Sequence, residues 1–341
     1  MMRPPLFVIA GLLAGLVLAS AARAADGQQR ALDAGADLIG TPAPALKIHT
    51  LEGTEIDLGR LYGHTPVYLK FWATWCVPCR QQMPHFEKTY ERLHQDMAVI
   101  AVNTGFNDTV ADIETYRARM GLTMPIVLDD GRLARAFHLR VTPQHIVIGR
   151  DGRILYVGHL VDEPLEQALA SAVAEKPAMP ASVQLATSAP LAAGEAVGEI
   201  RVKATDGTVL WLADPAKSVR TVLAFISPWC ESYLATSRPQ RAQACEQARV
   251  SIEEFVKTHP QTRIIGLASG LWADQSDVLE YQHDHHALSI PLAVDDSGEL
   301  FRRFGVRDVP TFIVLDADGR VRTKSDRFPA GAVSTRSASA S

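Results

Sequence analysis

The sequence is poor in features that would cross-link the chain, charge it strongly or carry it repeatedly through a membrane. Only four of its 341 residues are cysteine, which excludes a disulfide scaffold, so the fold must depend on an apolar core. Aromatic residues make up 7% of the chain. Basic and acidic residues number 34 and 38, and no basic run indicates a nucleic-acid partner. After residue 24 no apolar run is long enough to cross a bilayer. What remains is a chain with 47% apolar residues, enough for two ordinary domains.

The first 24 residues have the pattern of a secretory signal peptide. Arg3 precedes an apolar run over 6–18, and Ala22-Arg23-Ala24 fits a cleavage site. The run is short for a span of ~20 residues, although an uncleaved signal would act as a membrane anchor. Cleavage would remove two arginines and no acid, and the net charge would fall from −4 to about −6. We therefore expect a periplasmic or extracytoplasmic protein.

Apolar strands alternate with helical segments over residues 38–174. Runs at 67–72 and 98–103 predict buried strands, and a helix bent near Pro84 is predicted over 80–95. Residues 25–40 are small and polar and predict a loose leader. Alternating strands and helices predict one domain with a central sheet covered on both faces.

The same order of elements returns in the second half of the chain. Residues 175–197 are rich in Ala, Pro, Ser and Gly and predict a linker. Beyond it, Trp229 and Pro310 repeat the places of Trp75 and Pro143 at a period of about 155–165 residues. We predict a second domain at 198–325, a disordered tail at 326–341 and an α/β fold made of two tandem domains.

Two cysteines separated by two residues carry the chemistry of the first domain. Cys76 and Cys79 follow an apolar, β-prone strand, and the residues after them can form a helix. A thiol at a helix N-terminus has a lowered pKa, and the second sulfur can attack a mixed disulfide on the first. No second cysteine pair or histidine pair follows at zinc-binding spacing. The pattern predicts thiol–disulfide exchange without a metal or other cofactor.

Four motifs of the first domain resemble those of the thioredoxin superfamily. Residues 38–172 resemble the exported thiol–disulfide oxidoreductases of the TlpA/ResA/DsbE type. The matching motifs are Phe71-Trp72-Ala73-Thr74-Trp75-Cys76-Val77-Pro78-Cys79-Arg80, Met83-Pro84, Val141-Thr142-Pro143 and Asp151-Gly152. The resemblance implies that each domain is thioredoxin-like, with a mixed central sheet flanked by helices.

The resemblance also implies roles for the matching residues. Cys76 would be the exposed attacking thiolate, and Cys79 the buried resolving cysteine. Thr142-Pro143 would carry a cis peptide bond beside the disulfide and pair with the substrate backbone. Trp75 and Pro78 would line or tune the site.

Two positions depart from the pattern of the relatives. Lys70 stands six residues before Cys76, where thioredoxins have a buried acid, and Gln82 stands where ResA-like proteins often have glutamate. A buried lysine could be neutral or could stabilise a thiolate, whereas a partly exposed one would extend its ammonium group to solvent. His145, which lies just after Thr142-Pro143 in the sequence, is interpreted as a strand histidine with its hydrogen bonds satisfied.

The second domain keeps one cysteine of the motif and lacks the other. Tyr233 occupies the place of the resolving cysteine after Ser227-Pro228-Trp229-Cys230. Cys230 could form a disulfide with Cys245, which needs a break near Pro239 because a straight helix would hold them ~22 Å apart. Alternatively, Cys230 is a peroxidatic thiol, or the domain is degenerate and binds partners.

Together these features predict an exported enzyme that reduces or exchanges disulfides in envelope proteins, in the manner of cytochrome c maturation. Its partners would be protein disulfides or thiols and a membrane-bound electron donor. The alternatives are a redox module whose second domain recruits the target, and a peroxiredoxin-like peroxidase centred on Cys230. The sequence leaves the direction of electron flow open.

Overall fold

The computed structural model describes residues 26–333, except 178, 182–188, 215, 217, 218, 286 and 287. The predicted signal peptide at 1–24 therefore lies outside the described residues. The chain divides into two compact units, of which the first takes in the chain to Asn103, Glu114–Leu128 and Ala136–Leu185. The second contains Thr104–Ile113, Asp129–Arg135 and the chain from Ala186 onward. None of the helices in the described ranges is long and apolar enough to span a bilayer.

The first half of the chain, through residue 174, forms these elements in order: α1 (26–35), β1 (Lys47–His49), β2 (Glu55–Asp57), α2 (Leu58–Leu61), β3 (Val67–Trp72), α3 (Val77–Leu93), β4 (Ala98–Asn103), α4 (Val110–Met120), β5 (Ile126–Leu128), α5 (Arg132–Ala136), β6 (Gln144–Ile148), β7 (Ile154–Gly158) and α6 (Glu163–Ala174).

A five-stranded mixed sheet in the order β5-β4-β3-β6-β7 forms the centre of the first unit. Strand β3 is buried along its whole length and pairs parallel to β4 and antiparallel to β6. Because β3 is central and apolar, its carboxyl end delivers the following residues to the edge of the sheet, where α3 begins. This is the thioredoxin-like arrangement that the resemblance implied.

The predicted loose leader is wrong for the residues that the structure describes. Residues 26–35 form α1, and the side chain of Ala31 is fully buried. Gln28 accepts hydrogen bonds from the backbone N–H groups of His159 and Leu160 at 2.7 and 3.1 Å. These contacts hold the leader in place. They join positions 131 and 132 residues apart, so local composition does not reveal them.

The remaining elements are β8 (Arg201–Lys203), β9 (Val209–Trp211), β10 (Thr221–Ile226), α7 (Cys230–Ser237), α8 (Pro239–Thr258), β11 (Arg263–Ser269), α9 (Gln275–Asp284), β12 (Leu292–Asp295), α10 (Glu299–Arg303), β13 (Thr311–Leu315), β14 (Val321–Ser325) and α11 (Ala330–Val333).

The sheet of the second unit repeats the topology of the first. Its order is β12-β11-β10-β13-β14, with the buried strand β10 parallel to β11 and antiparallel to β13. The fold is therefore α/β with two thioredoxin-like domains in tandem, as expected.

Both flanks of the second unit are more structured than composition suggested. In the expected linker, the N–H groups of Gly194 and Val197 bond to the carbonyls of Val321 and Gly319, and Val197 is buried. In the expected tail, the Phe328 ring packs 5.0 Å from Phe255. Chain on both sides of the domain thus contributes to its packing, and residues 334–341 lie outside the described part.

Candidate active site

The turn between β3 and α3 sets the geometry of the cysteine pair. The Cys76 N–H bonds to the Ala73 carbonyl at 3.3 Å, and Cys76 caps α3 by accepting the Cys79 N–H on its sulfur at 3.2 Å. Pro78 lies in the first turn of the helix, where its missing N–H costs no hydrogen bond. The two sulfurs are bonded as a disulfide. Spacing and helix start together place both sulfurs at the positive end of α3.

The disulfide is buried, which corrects the expectation of an exposed Cys76. Neither cysteine is exposed, and Trp75 and Thr142 beside them are buried as well. The Cys76 sulfur lies 3.4 Å from the Thr142 carbonyl oxygen, so the loop before β6 packs directly against it. The Thr142–Pro143 peptide bond is cis. Val77, which follows Cys76 in the chain, is 41% exposed to solvent.

A buried polar network lies behind the disulfide, one helical turn along α3. Lys70 is fully buried and its Nζ donates to Oε1 of Gln82 at 3.2 Å. The same oxygen lies 2.9 Å from Nε2 of His145, and the Gln82 amide nitrogen donates to the His159 carbonyl at 3.1 Å. Gln82 is three residues after Cys79, so both side chains lie on one face of α3. The network therefore connects the sheet to the helix face that carries Cys79.

Hydrogen-bond chemistry fixes the protonation of His145. An amide oxygen only accepts, so the Nε2 atom facing Gln82 must carry a proton. The other ring nitrogen, Nδ1, lies 2.7 Å from the Tyr68 hydroxyl and accepts from it. Burial and the nearby Lys70 lower the pKa of His145 well below its usual value, which agrees with a neutral ring.

Burial also lowers the pKa of Lys70, to about 7. In the part of the chain that the structure describes, its polar contact is an amide, and its Nζ lies 5.4 Å from the centre of the Phe86 ring. An amide and an aromatic ring do not compensate an ammonium group for lost hydration as a carboxylate would. Near neutral pH the amine can therefore exchange a proton with a neighbouring group.

Sequence reasoning found Lys70, Gln82 and His145 but missed Tyr68 and His159. A usable signal exists for Tyr68, because residues two apart on a strand share one face, and so Tyr68 and Lys70 point the same way. The register of β3 against β6 then places His145 directly opposite Lys70. His159 gave no local signal, since its ring bonds to the Pro143 carbonyl only through the fold, at 2.7 Å.

The second unit brings Cys230 and Cys245 together. Helix α7 ends at Ser237, Arg238 leaves helical geometry, and α8 starts at Pro239. The break turns α8 back beside α7, so the two Cα atoms lie 6.2 Å apart and the sulfurs are bonded. Tyr233, in the place of the resolving cysteine, is 37% exposed.

A cleft of about 720 Å³ opens beside this second disulfide. We name it the second-unit cleft; it is lined by aromatic and acidic side chains that include Trp229, Trp272, Tyr281, Glu231, Glu246, Glu280 and Asp284. Glu231 is paired with Arg249 at 3.0 Å. Among the described residues that line the cleft, none is lysine or arginine.

Comparison with known proteins places the first domain. Residues 39–157 match the AhpC/TSA family. The chain is 36% identical to the thiol-disulfide oxidoreductase ResA of Halalkalibacterium halodurans, over 38% of this chain and 73% of that protein. It is 32% identical to the thioredoxin-like protein YneN of Bacillus subtilis, over 38% of this chain and 78% of that one.

A solved structure is also similar to part of the chain. It is a candidate thiol:disulfide interchange protein DsbE from Chlorobium tepidum, 27% identical, with a TM-score of 0.36 over 40% of this chain and 97% of that one. The likeness to ResA covers 73% of that relative. The chain therefore belongs to the AhpC/TSA family, among its ResA-type thiol-disulfide oxidoreductases.

Proposed function

We propose that this enzyme is exported and reduces or exchanges disulfides of envelope proteins through Cys76 and Cys79. The observation that carries the proposal is the disulfide at the start of α3, with the Cys76 sulfur 3.4 Å from the Thr142 carbonyl. A catalytic domain at 38–174, a linker at 175–197 and a second domain at 198–325 complete the proposed organisation. The signal peptide at 1–24 would be removed.

In the reductive direction, Cys76 attacks first. Its thiolate, favoured by the positive end of α3, attacks one sulfur of a substrate disulfide, and the other substrate sulfur leaves as a thiolate. Cys79 then attacks the Cys76 sulfur of the mixed disulfide, which releases the second substrate thiol and closes the Cys76–Cys79 bond. Two electrons pass to the substrate, and a dithiol donor must restore them.

The residues around the pair have separate positioning roles in this proposal. Thr142 and Pro143 would hold the substrate backbone, because the Thr142 carbonyl already contacts the attacking sulfur. Trp75 would form the wall of the site, and Pro78 would keep the first turn of α3 rigid. Since both cysteines are buried, the groups that cover them must move before a protein disulfide can reach Cys76.

Lys70 would manage the proton of Cys79. The resolving thiol must lose its proton before it attacks, and Lys70 stands where thioredoxins have a buried acid. The Lys70 amine, with its lowered pKa, can accept that proton while Gln82 holds it on the correct face of α3. Gln82 and His145 do not accept it, since the amide does not titrate and the buried imidazole resists a charge.

The direction of the reaction can be measured as a reduction potential. A value near ~ −270 mV would support a reductase fed by a membrane-bound donor, whereas one near ~ −120 mV would support an oxidant. Cytochrome c maturation is the proposed context because reduction of disulfides between the cysteines of apocytochrome c or copper-site proteins is the theme of the family that the motifs resemble. Disulfide exchange at the wild-type rate by Cys76→Ala would refute the assignment.

A recruiting role for the second domain is the second candidate, and the second-unit cleft supports it. If the cleft captures targets, Glu280→Lys added to the Cys79→Ser variant should lower capture of a protein substrate, whereas Glu280→Lys alone, with both cysteines intact, should leave turnover of a small disulfide unchanged. Equal capture by the Cys79→Ser variant with and without Glu280→Lys would remove this candidate.

A further inference from the structure

We propose that Cys230–Cys245 is a second exchange-competent disulfide, which accepts electrons from a dithiol partner that attacks Cys245 through the second-unit cleft. This reaches beyond the proposed function, which concerns Cys76 and Cys79. It depends on the position, the surroundings and the accessibility of the pair, all within the second unit.

Cys230 stands in the place of an attacking cysteine. It is the first residue of α7, after the buried central strand β10, and its N–H bonds to the Ser227 carbonyl at 3.1 Å. In the first unit, Cys76 bonds to Ala73 in the same way. The second unit has therefore kept the strand, the turn and the helix start that position a reactive sulfur.

Cys245 supplies the second sulfur from another helix. The break at Arg238 brings it against Cys230, and Cys245 lines a small cavity together with Ser227 and Pro310. Pro310 precedes β13 as Pro143 precedes β6. The disulfide thus lies between the end of β10 and the loop before β13, where the first unit holds its own pair.

Both cysteines are buried, and they differ slightly in the exposure of the residue. Cys230 is completely buried, whereas Cys245 is 8% exposed. The wall of the cleft includes Ala242 and Glu246, which lie three residues before and one residue after Cys245 on α8. Neither cysteine lines the cleft itself, so side chains of this wall must move before an incoming thiolate reaches Cys245, and Cys230 is then the departing sulfur.

The electrons and atoms of the exchange balance with a dithiol partner. The partner's thiolate attacks the Cys245 sulfur, a mixed disulfide forms, and Cys230 leaves as a thiolate at the positive end of α7. The carboxylate of neighbouring Glu231 is offset by Arg249, so it opposes that thiolate little. The partner's second thiolate then attacks its own mixed-disulfide sulfur and releases Cys245. The partner is oxidised to a disulfide, and the pair gains two electrons.

The lining of the cleft selects the charge of the partner. Glu246, Glu280 and Asp284 carry negative charge, and Trp229 and Trp272 add aromatic surface. A thiol flanked by Lys or Arg gains from both, through Coulomb attraction and cation–π contacts. Anionic thiols are repelled. We therefore assign the partner as a dithiol protein segment with basic residues beside its cysteines.

The test uses the full chain with Cys76→Ser and Cys79→Ser, so that the second pair is the one disulfide left. Two reduced peptides with a Cys-x-x-Cys core, one flanked by lysines and one by glutamates, serve as probes. Mass spectrometry after alkylation follows reduction of the pair, and circular dichroism follows the fold. We expect reduction of the folded protein, at least about tenfold faster with the lysine peptide at low salt. Reduction only at the rate of global unfolding would show an inert cross-link and overturn the proposal.

Further variants separate the parts of the inference. In the same background, Cys230→Ser leaves Cys245 free, and Cys245→Ser leaves Cys230 free. Free Cys245 should form a mixed disulfide with the oxidised lysine peptide at least about tenfold faster than free Cys230 does. Faster reaction of Cys230 would overturn the assigned order of attack. Glu246→Gln should reduce the preference for lysine, whereas exposed Glu254→Gln on the same helix should not; equal effects would overturn the role of the cleft. Cys230→Ser/Cys245→Ser with an intact first pair tests the proposed function separately.

Discussion

The Nζ atom of Lys70 lies 3.2 Å from Oε1 of Gln82, and this contact joins the central strand β3 to the helix that carries both reactive cysteines. The lysine is fully buried without a carboxylate partner among the described residues, so its proton is held weakly. The stability of the protein therefore depends on the protonation of one side chain, and in the proposed function the attack by Cys79 depends on it as well.

The stability of the protein should rise with pH between about 7 and 10.5, because of Lys70. Its pKa is about 7 in the folded chain, against 10.5 for an unperturbed lysine. In that window the unfolded chain binds a proton that the folded chain lacks, so the free energy of unfolding increases with pH. Below pH 7 the folded and unfolded chains both hold the proton, and the full cost of burying the charged amine lowers the free energy of unfolding.

Lys70→Met should remove this pH dependence and stabilise the protein at pH 7 by on the order of a few kcal/mol. Urea unfolding at several pH values measures it. The control is Lys88→Met, an exposed lysine of α3, which should retain the wild-type profile. Parallel profiles for wild type and Lys70→Met would contradict the prediction.

The same variant should slow the step in which Cys79 closes on the mixed disulfide. Without the amine, the Cys79 thiol loses its proposed proton acceptor, and the rate at pH 7 should fall by ~100-fold. Attack by Cys76 should change far less. Stopped-flow measurement of each step in single turnover distinguishes them, and equal slowing of both would indicate a merely structural role.

Gln82→Glu should make Lys70 hold its proton more tightly. The new carboxylate would lie where Oε1 now accepts from Nζ, and an opposite charge at this distance raises the pKa of an amine. The rise in stability between about pH 7 and 10.5 should therefore shrink. Gln81→Glu, on the exposed side of the same helix turn, is the control and should leave it unchanged. A larger rise in Gln82→Glu would count against the network.

Cys79→Ser and Cys76→Ser should fail in different ways. Cys79→Ser can attack a substrate but cannot release it, so a mixed disulfide with Cys76 should accumulate. Cys76→Ser should lower turnover by at least about 100-fold without such an adduct. Mass spectrometry under non-reducing conditions detects the adduct. Its appearance in Cys76→Ser instead would reverse the assigned roles.

Loss of the second disulfide should destabilise the chain measurably. Cys230 and Cys245 are 15 residues apart, and a cross-link over such a loop stabilises by about 3 kcal/mol. Cys230→Ala with Cys245→Ala should lower the free energy of unfolding by that amount in denaturant. The variant Cys76→Ala with Cys79→Ala is the comparison, since its loop spans only 3 residues. An unchanged denaturation midpoint in the first variant would show that the pair constrains the chain little.

The reactive pair was predictable because its geometry is local. Two cysteines three positions apart, after an apolar strand and before a helix, must lie near each other, and Pro78 fits the first turn. The tandem architecture was also predictable, since the strand and turn signals recur in order. Composition misled at the flanks of the domains, where Ala31 and Phe328 are ordered by packing against distant residues.

The sequence by itself determined the reaction type, the cysteine pair proposed to react and the repeated fold, because each follows from residue type and short spacing. The tertiary structure alone decided that the disulfide is buried, that Lys70 bonds to Gln82, and that Cys245 reaches Cys230 across a helix break. These relationships join β3 to α3 and β6, or α7 to α8. They depend on strand register and helix packing between distant segments, and no local pattern specifies either.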